Sequence, residues 1–118
     1  MREYIDAASF KDMILCADAA LAANTQQINE LNVFPVPDGD TGTNMGLTMN
    51  TAATQLRKKS FYTVDSVADC VAGALLRGAR GNSGVILSQI FRGFAKGCAD
   101  KQELSAKKAN NLLLLHCK

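Results

Sequence analysis

The chain has no tryptophan, one histidine and two prolines. The single histidine, His116, lies near the C-terminus, so a Ser-His-Asp catalytic set cannot be assembled around it. Neither sign of charge dominates: 13 basic against 11 acidic residues leave a formal charge of +2. No basic stripe interleaved with aromatics is present, which speaks against nucleic acid as a partner. No apolar run approaches the length of a membrane span, and Met1 to Asp6 carries no apolar signal core. Cys16, Cys70, Cys98 and Cys117 form no C-x-x-C pair, which removes a zinc site of the usual spacing. Their even number would suit a secreted disulfide framework. Without a secretion signal they are read as buried or idle thiols of a cytoplasmic protein.

What is present favours helix. The 118 residues suffice for one domain, 47% of them hydrophobic and 20% charged, with Ala and Leu plentiful. Phe10, Met13, Ile14, Ala17, Leu21, Ile28 and Leu31 recur at helical spacing and predict a first helix over Phe10–Leu31. Ser9 with Asp12 three residues on approximates a capping box. A second helix is predicted from near Thr43, with Met45, Met49, Ala52, Ala53 and Leu56 on one face and Arg57, Lys58 and Lys59 closing it. Thr63 or Asp65 can cap a third, striped by Val64, Val67, Val71, Ala74 and Leu75. A fourth carries Val85, Ile86, Leu87, Ile90, Phe91 and Phe94, apolar over more than half its circumference and expected to be well buried. Beyond Gly97 a polar stretch leads to Leu104 and a tail with four consecutive leucines, which fits either a buried helical turn or an irregular end.

Two polar segments interrupt the helices. Asn32 to Met45 holds Pro35 and Pro37, which forbid helix, and then Asp38 and Asp40 one residue apart, followed by Thr41, Thr43 and Asn44. Gly78 to Gly84 (Gly-Ala-Arg-Gly-Asn-Ser-Gly) is a flexible connection into the fourth helix. Asp-Gly is also a common turn dipeptide, but the dense polar run at a helix start favours a metal site. Mg²⁺ typically takes one or two carboxylates together with phosphate oxygens, and a helix start offers N–H groups to an anion. Asn82 and Ser83 can equally act as helix caps; the glycines, which let backbone approach closely, tilt the reading toward phosphate. Arg80 reaches either a phosphate or solvent.

Several motifs are absent. An EF-hand loop from Asp38 would need Gly at position 43 and Glu at position 49, where the chain has Thr43 and Met49. Gly78 to Gly84 lacks a P-loop lysine. An aspartyl phosphatase would use Asp-x-Asp as nucleophile and acid, but it wants an apolar strand leading into Asp38, and Pro35 and Pro37 oppose one. In an antiparallel array of four helices the first and third connections lie at one end. The carboxylate segment and the Gly-rich segment are therefore expected to meet.

Asn32 to Met45 and Gly78 to Gly93 resemble the signature blocks of the Dak2 (dihydroxyacetone kinase L-type) nucleotide-binding domain, and more closely those of the N-terminal domain of bacterial fatty acid kinase. The resemblance covers residues 1–104, leaving 105–118 as a divergent tail. It implies an all-α antiparallel helical barrel of eight helices, of which this truncated chain holds about the first half. The tail would then come from truncation or a frame change. The resemblance further implies two Mg²⁺ ions held by Asp38 and Asp40. Thr41, Thr43, Asn44 and Met45 would line the nucleotide side, and Gly81, Asn82, Ser83 and Gly84 would form a second phosphate-contacting loop. Dihydroxyacetone kinases carry a third metal-binding Asp five residues before the first of the pair. Here that position is Val33, and the resemblance implies that Asn32 beside it would serve as the substitute oxygen ligand, directly or through water. The Asn-Val-Phe-Pro pattern belongs to the fatty acid kinase branch.

The implied function is an ATP-dependent kinase domain that phosphorylates a fatty acid carboxylate presented by a carrier protein. Glycerone kinase activity and a non-catalytic Mg-nucleotide-binding remnant are the alternatives. An open half-barrel leaves helix faces uncovered, so self-association or marginal folding is expected.

Overall fold

Asp6, rather than Ser9, begins the first helix. In this computed structural model, which describes residues 4–31, 39–99 and 104–105, helix α1 spans Ala7–Glu30. The Asp6 side chain accepts a hydrogen bond from the Ser9 N–H at 2.8 Å, so Ser9 is the third residue of the first turn and the capped donor. Both residue types cap well, and local sequence does not choose between them. Helix α2 follows over Thr41–Arg57, α3 over Val64–Gly78 and α4 over Gly81–Gly97. Thr63 caps α3, its side chain accepting from the Ser66 N–H. A two-residue strand β1, Tyr4–Ile5, pairs antiparallel with β2, Leu104–Ser105, in the register Tyr4↔Ser105 and Ile5↔Leu104. Leu104 is thus extended. The leucine run, His116 and Cys117 lie outside the described residues.

The helices alternate in direction. The Lys11 ammonium donates to the Lys59 carbonyl at 3.0 Å, and Asn29 bonds Thr43, so α1 and α2 run antiparallel. The Thr51 hydroxyl reaches the Ala74 carbonyl at 3.1 Å, and the Arg80 N–H just past α3 reaches Thr48, so α3 runs back along α2 toward its start. Only Ala79 and Arg80 separate α3 from α4. One end of the array therefore gathers the end of α1, the start of α2, the end of α3 and the start of α4. The result is the expected all-α antiparallel architecture.

The core lies toward the opposite end. Leu56, Val64, Val67, Val71 and Leu75 are fully buried, joined by Phe10, Ile14 and Phe94. The predicted stripe of α3 is buried throughout, and that of α2 is buried from Met49 onward, with Met45 half-buried. Phe10 and Phe94 meet edge to face, centroids 5.6 Å apart, a geometry that adds roughly 1 kcal/mol beyond area burial. Asp18 is buried between α1 and α2, 3.4 Å from the Asn50 amide and 3.6 Å from the Arg57 guanidinium. Arg57 is therefore paired rather than simply exposed.

Helix α4 departs from expectation. Its buried residues are Gly84, Ser88, Phe94 and Ala95, while Val85 is 48% and Ile86 60% exposed. Periodicity reports that a face is apolar; whether a neighbour covers it depends on tertiary structure. Of the cysteines, Cys98 is buried, Cys70 half-buried and Cys16 exposed, all three as free thiols.

Candidate functional site

The starts of α2 and α4 come together. Asn44 projects from the first turns of α2 onto Gly81, where a Cβ would lie 2.9 Å from the Asn44 Cγ and closer still to its amide nitrogen. Gly81 has φ +66°, a left-handed conformation that glycine adopts without steric cost. Backbone conformation and the Asn44 amide both favour glycine here. The expected Gly-rich loop is shorter than its sequence suggests: Gly81, Asn82, Ser83 and Gly84 form the first turn of α4. Glycine is a poor helix former, so propensity reads this turn as loop. Close contact with α2 accounts for the glycines instead.

Asp40 is the N-cap residue of α2, and its carbonyl accepts from the Asn44 N–H at 2.8 Å. Its exposed side chain makes no capping bond to the helix. That role falls to Asn29 of α1, whose Oδ1 accepts from the Thr43 N–H and whose Nδ2 donates to the Thr43 hydroxyl, both at 3.0 Å. Thr43 itself is exposed, and Thr41, Asn44 and Met45 are half-buried. Gly42 packs directly on α1, with its Cβ position 3.0 Å from both Asn29 Oδ1 and Ile28 Cβ.

On the α4 side, Arg80 is the N-cap residue and likewise makes no side-chain capping bond. Its side chain is exposed, but its backbone N–H donates to the buried Thr48 hydroxyl at 3.0 Å. Asn82 is exposed, Ser83 half-buried and Gly84 buried. An α-helix leaves its first N–H groups without intrahelical partners, and here they sit on a turn with little side-chain cover. Such a surface can take an anion.

Asn32 and Asp38 lie outside the described residues. Among those described, no group of three His, Cys, Asp or Glu residues is gathered that could hold a metal alone. The donor types at the α2 start are hard oxygens: the Asp40 carboxylate with hydroxyls and amides. They suit a cation that shares its coordination with phosphate and water, and not a soft thiolate or imidazole site.

Asn29, Thr48 and Thr51 escaped the sequence reading. Asn44, Thr48 and Thr51 recur at i, i+4 and i+7, one face of α2, and Gly78, Gly81 and Gly84 recur every three residues. Those two matched spacings are the signal that could have found them.

The family model of the DAK2 domain matches residues 35–115. Protein YloV of Bacillus subtilis (strain 168) is 47% identical over 102 residues, 86% of this chain and 18% of that protein. An uncharacterized protein of Staphylococcus aureus (strain USA300) is 45% identical over 98 residues, 83% of this chain and 18% of that protein. The chain spans less than a fifth of the length of these curated relatives.

Proposed function

The chain belongs to the DAK2 domain family, and from that premise we propose that it is an ATP-dependent phosphotransferase domain which binds Mg-ATP where α2 and α4 begin. The observation that carries this reading is the apposition of Asn44 and Gly81. It sets a carboxylate-bearing helix start against a second start whose N–H groups lie in a Gly-rich turn.

In this reading Asp38 and Asp40 hold the metal, with Asn32 as an additional oxygen donor. Bound Mg²⁺ supplies charge neutralisation on the phosphate oxygens. The N–H groups of Asn82 and Ser83 orient the phosphate chain, Thr41, Thr43 and Met45 line the nucleotide side, and Arg80 stands at the rim. Phosphoryl transfer asks mainly for positioning and electrostatic stabilisation. The acceptor is a fatty acid carboxylate presented by a separate carrier protein. Its oxygen attacks the γ-phosphorus, the bond from that phosphorus to the bridging oxygen breaks, ADP leaves and an acyl phosphate forms. A carboxylate is already deprotonated at neutral pH, so the site needs no general base. A hydroxyl acceptor such as dihydroxyacetone would call for one.

Titration of the chain with Mg-ATP by calorimetry tests the binding site. Asp40→Ala should abolish Mg²⁺-dependent binding, because it removes a charged oxygen donor. Unchanged Mg-ATP affinity in Asp40→Ala and Asp38→Ala would overturn the assignment. Turnover with a fatty acid and its carrier supports the kinase, and turnover with dihydroxyacetone supports the glycerone kinase alternative. Binding without turnover supports a second reading, a nucleotide-binding piece that is inactive alone. That reading draws on the open α4 face and on the small share of its relatives that the chain spans.

A further inference from the structure

We propose that Thr48 is the positioning residue that holds the first turn of α4 in register with the start of α2, and thereby sets the phosphate-facing N–H groups. The proposal rests on the Mg-nucleotide reading of this site and assigns a role within it to a residue that does not itself touch the ligand.

One buried hydroxyl joins the two helices. Thr48 is fully buried. Its Oγ1 donates its single proton to the Asn44 carbonyl at 2.7 Å, one helical turn back. With the proton so committed, the oxygen lone pairs face the Arg80 N–H, which donates at 3.0 Å. A hydroxyl has one donor and two acceptor sites, so this pair of bonds fixes its orientation. Arg80 is the N-cap residue of α4. Thr48 therefore grips the residue from which α4 departs.

Sterics enforce the same register. A Cβ on Gly84 would fall well inside van der Waals contact of the Thr48 Oγ1, and 3.5 Å from the Thr48 Cβ. Gly84 thus lets α4 close down on the hydroxyl. Either side of Thr48 the pattern repeats. Asn44 covers Gly81, and Thr51 sits against Gly78, where a Cβ would meet the Thr51 Oγ1 at 2.7 Å. The Thr51 hydroxyl also bridges to the Ala74 carbonyl of α3 at 3.1 Å. Three polar side chains on one face of α2 are matched to three glycines on the α3–α4 corner. Thr48 is the central one, and the one that bonds to the backbone of the corner itself.

Loss of the hydroxyl leaves the Arg80 N–H facing a methyl group in a buried position. An unsatisfied buried donor is unfavourable, so the corner should move off α2 and carry the first-turn N–H groups with it. The consequence falls on phosphate affinity more than on the helices.

The test compares Thr48→Val, which keeps shape and drops the hydroxyl, with Thr48→Ser, which keeps the hydroxyl. Mg-ATP affinity is read by calorimetry, and amide hydrogen exchange at Arg80 by NMR. Thr48→Val should weaken Mg-ATP binding roughly tenfold and speed exchange at Arg80 while α2 and α3 stay folded. Thr48→Ser should stay within about threefold of wild type. Wild-type affinity in folded Thr48→Val, or unchanged protection at Arg80, would overturn the positioning role and leave the nucleotide reading standing. Absence of Mg-ATP binding by the wild-type chain would overturn both. Equal loss in the Val and Ser variants would overturn the role of the hydroxyl. Should Thr48→Val fail to fold, Gly84→Ala presses on the same oxygen from the other helix. It should weaken Mg-ATP binding and speed exchange at Arg80; wild-type affinity with unchanged protection at Arg80 would refute the contact.

Discussion

Replacing Gly42 with alanine should destabilise the fold, and replacing Gly46 with alanine, four residues along the same helix, should stabilise it. Both changes remove the backbone freedom of a helical glycine, which by itself favours the folded state by about 0.5–1 kcal/mol. Their surroundings differ. A Cβ on Gly42 would lie 3.0 Å from Asn29 Oδ1 and from Ile28 Cβ and would press closer still on the Thr25 carbonyl oxygen. That oxygen belongs to the α1 backbone and cannot rotate away, so the helices must part. Overpacking of this kind costs about 1–3 kcal/mol. Parting them also stretches the Asn29–Thr43 capping bond, worth roughly 1 kcal/mol. Set against the gain in helix propensity, the net loss is about 1–3 kcal/mol, or a Tm lower by roughly 5–20 °C in a domain of this size. At Gly46 the nearest outside atom is the Thr25 hydroxyl at 3.8 Å, an ordinary contact. Its variant should melt a few degrees higher, on the order of 0.5–1 kcal/mol of added stability. Thermal melts followed by far-UV circular dichroism compare the two directly. A Gly42→Ala variant as stable as wild type, or shifts of the same sign at both positions, would refute the close approach of α1 and α2.

Cys98 and the uncovered face of α4 provide two further tests. Burial foremost, then Asp65 and Asp69, push the Cys98 thiol from 9.0 up to about 11. In that interval the unfolded chain has released the proton while the folded chain retains it. The contribution to stability is therefore fully present below pH 9.0 and is lost as pH rises toward about 11, with a slope of at most about 1.4 kcal/mol per pH unit. Urea midpoints measured across that range should fall less steeply in Cys98→Ala than in wild type; identical slopes would contradict the burial of the thiol. Val85 and Ile86 are about half exposed on α4, and apolar patches of this kind promote association. Light scattering should find the wild-type chain self-associated, and Ile86→Lys should reduce that association; a wild-type chain that stays monomeric would count against it.

The helices and the buried stripes of α2 and α3 were legible in the sequence because their causes are local. The spacing of Val64, Val67, Val71, Ala74 and Leu75 is a property of adjacent turns, and Thr63 lies next to the amides it caps. The meeting of the α2 and α4 starts was also legible, since alternating helices return the first and third connections to one end. Where the sequence misled, a long-range contact outweighed a local rule. Glycine's low helix propensity marks Gly81 to Gly84 as loop, yet the close packing of α2 accounts for the glycines at 81 and 84, and the turn is helical. The apolar circumference of α4 promises burial, but exposure depends on whether a neighbour is present. Asn29 caps α2 from fourteen residues before Thr43, and Thr48 holds Arg80 from thirty-two residues away. Periodicity and propensity act over a few residues, so they determine which segments are helical and which faces are apolar. Which hydroxyl meets which glycine is decided only when the helices pack, because that meeting depends on the distance between backbones.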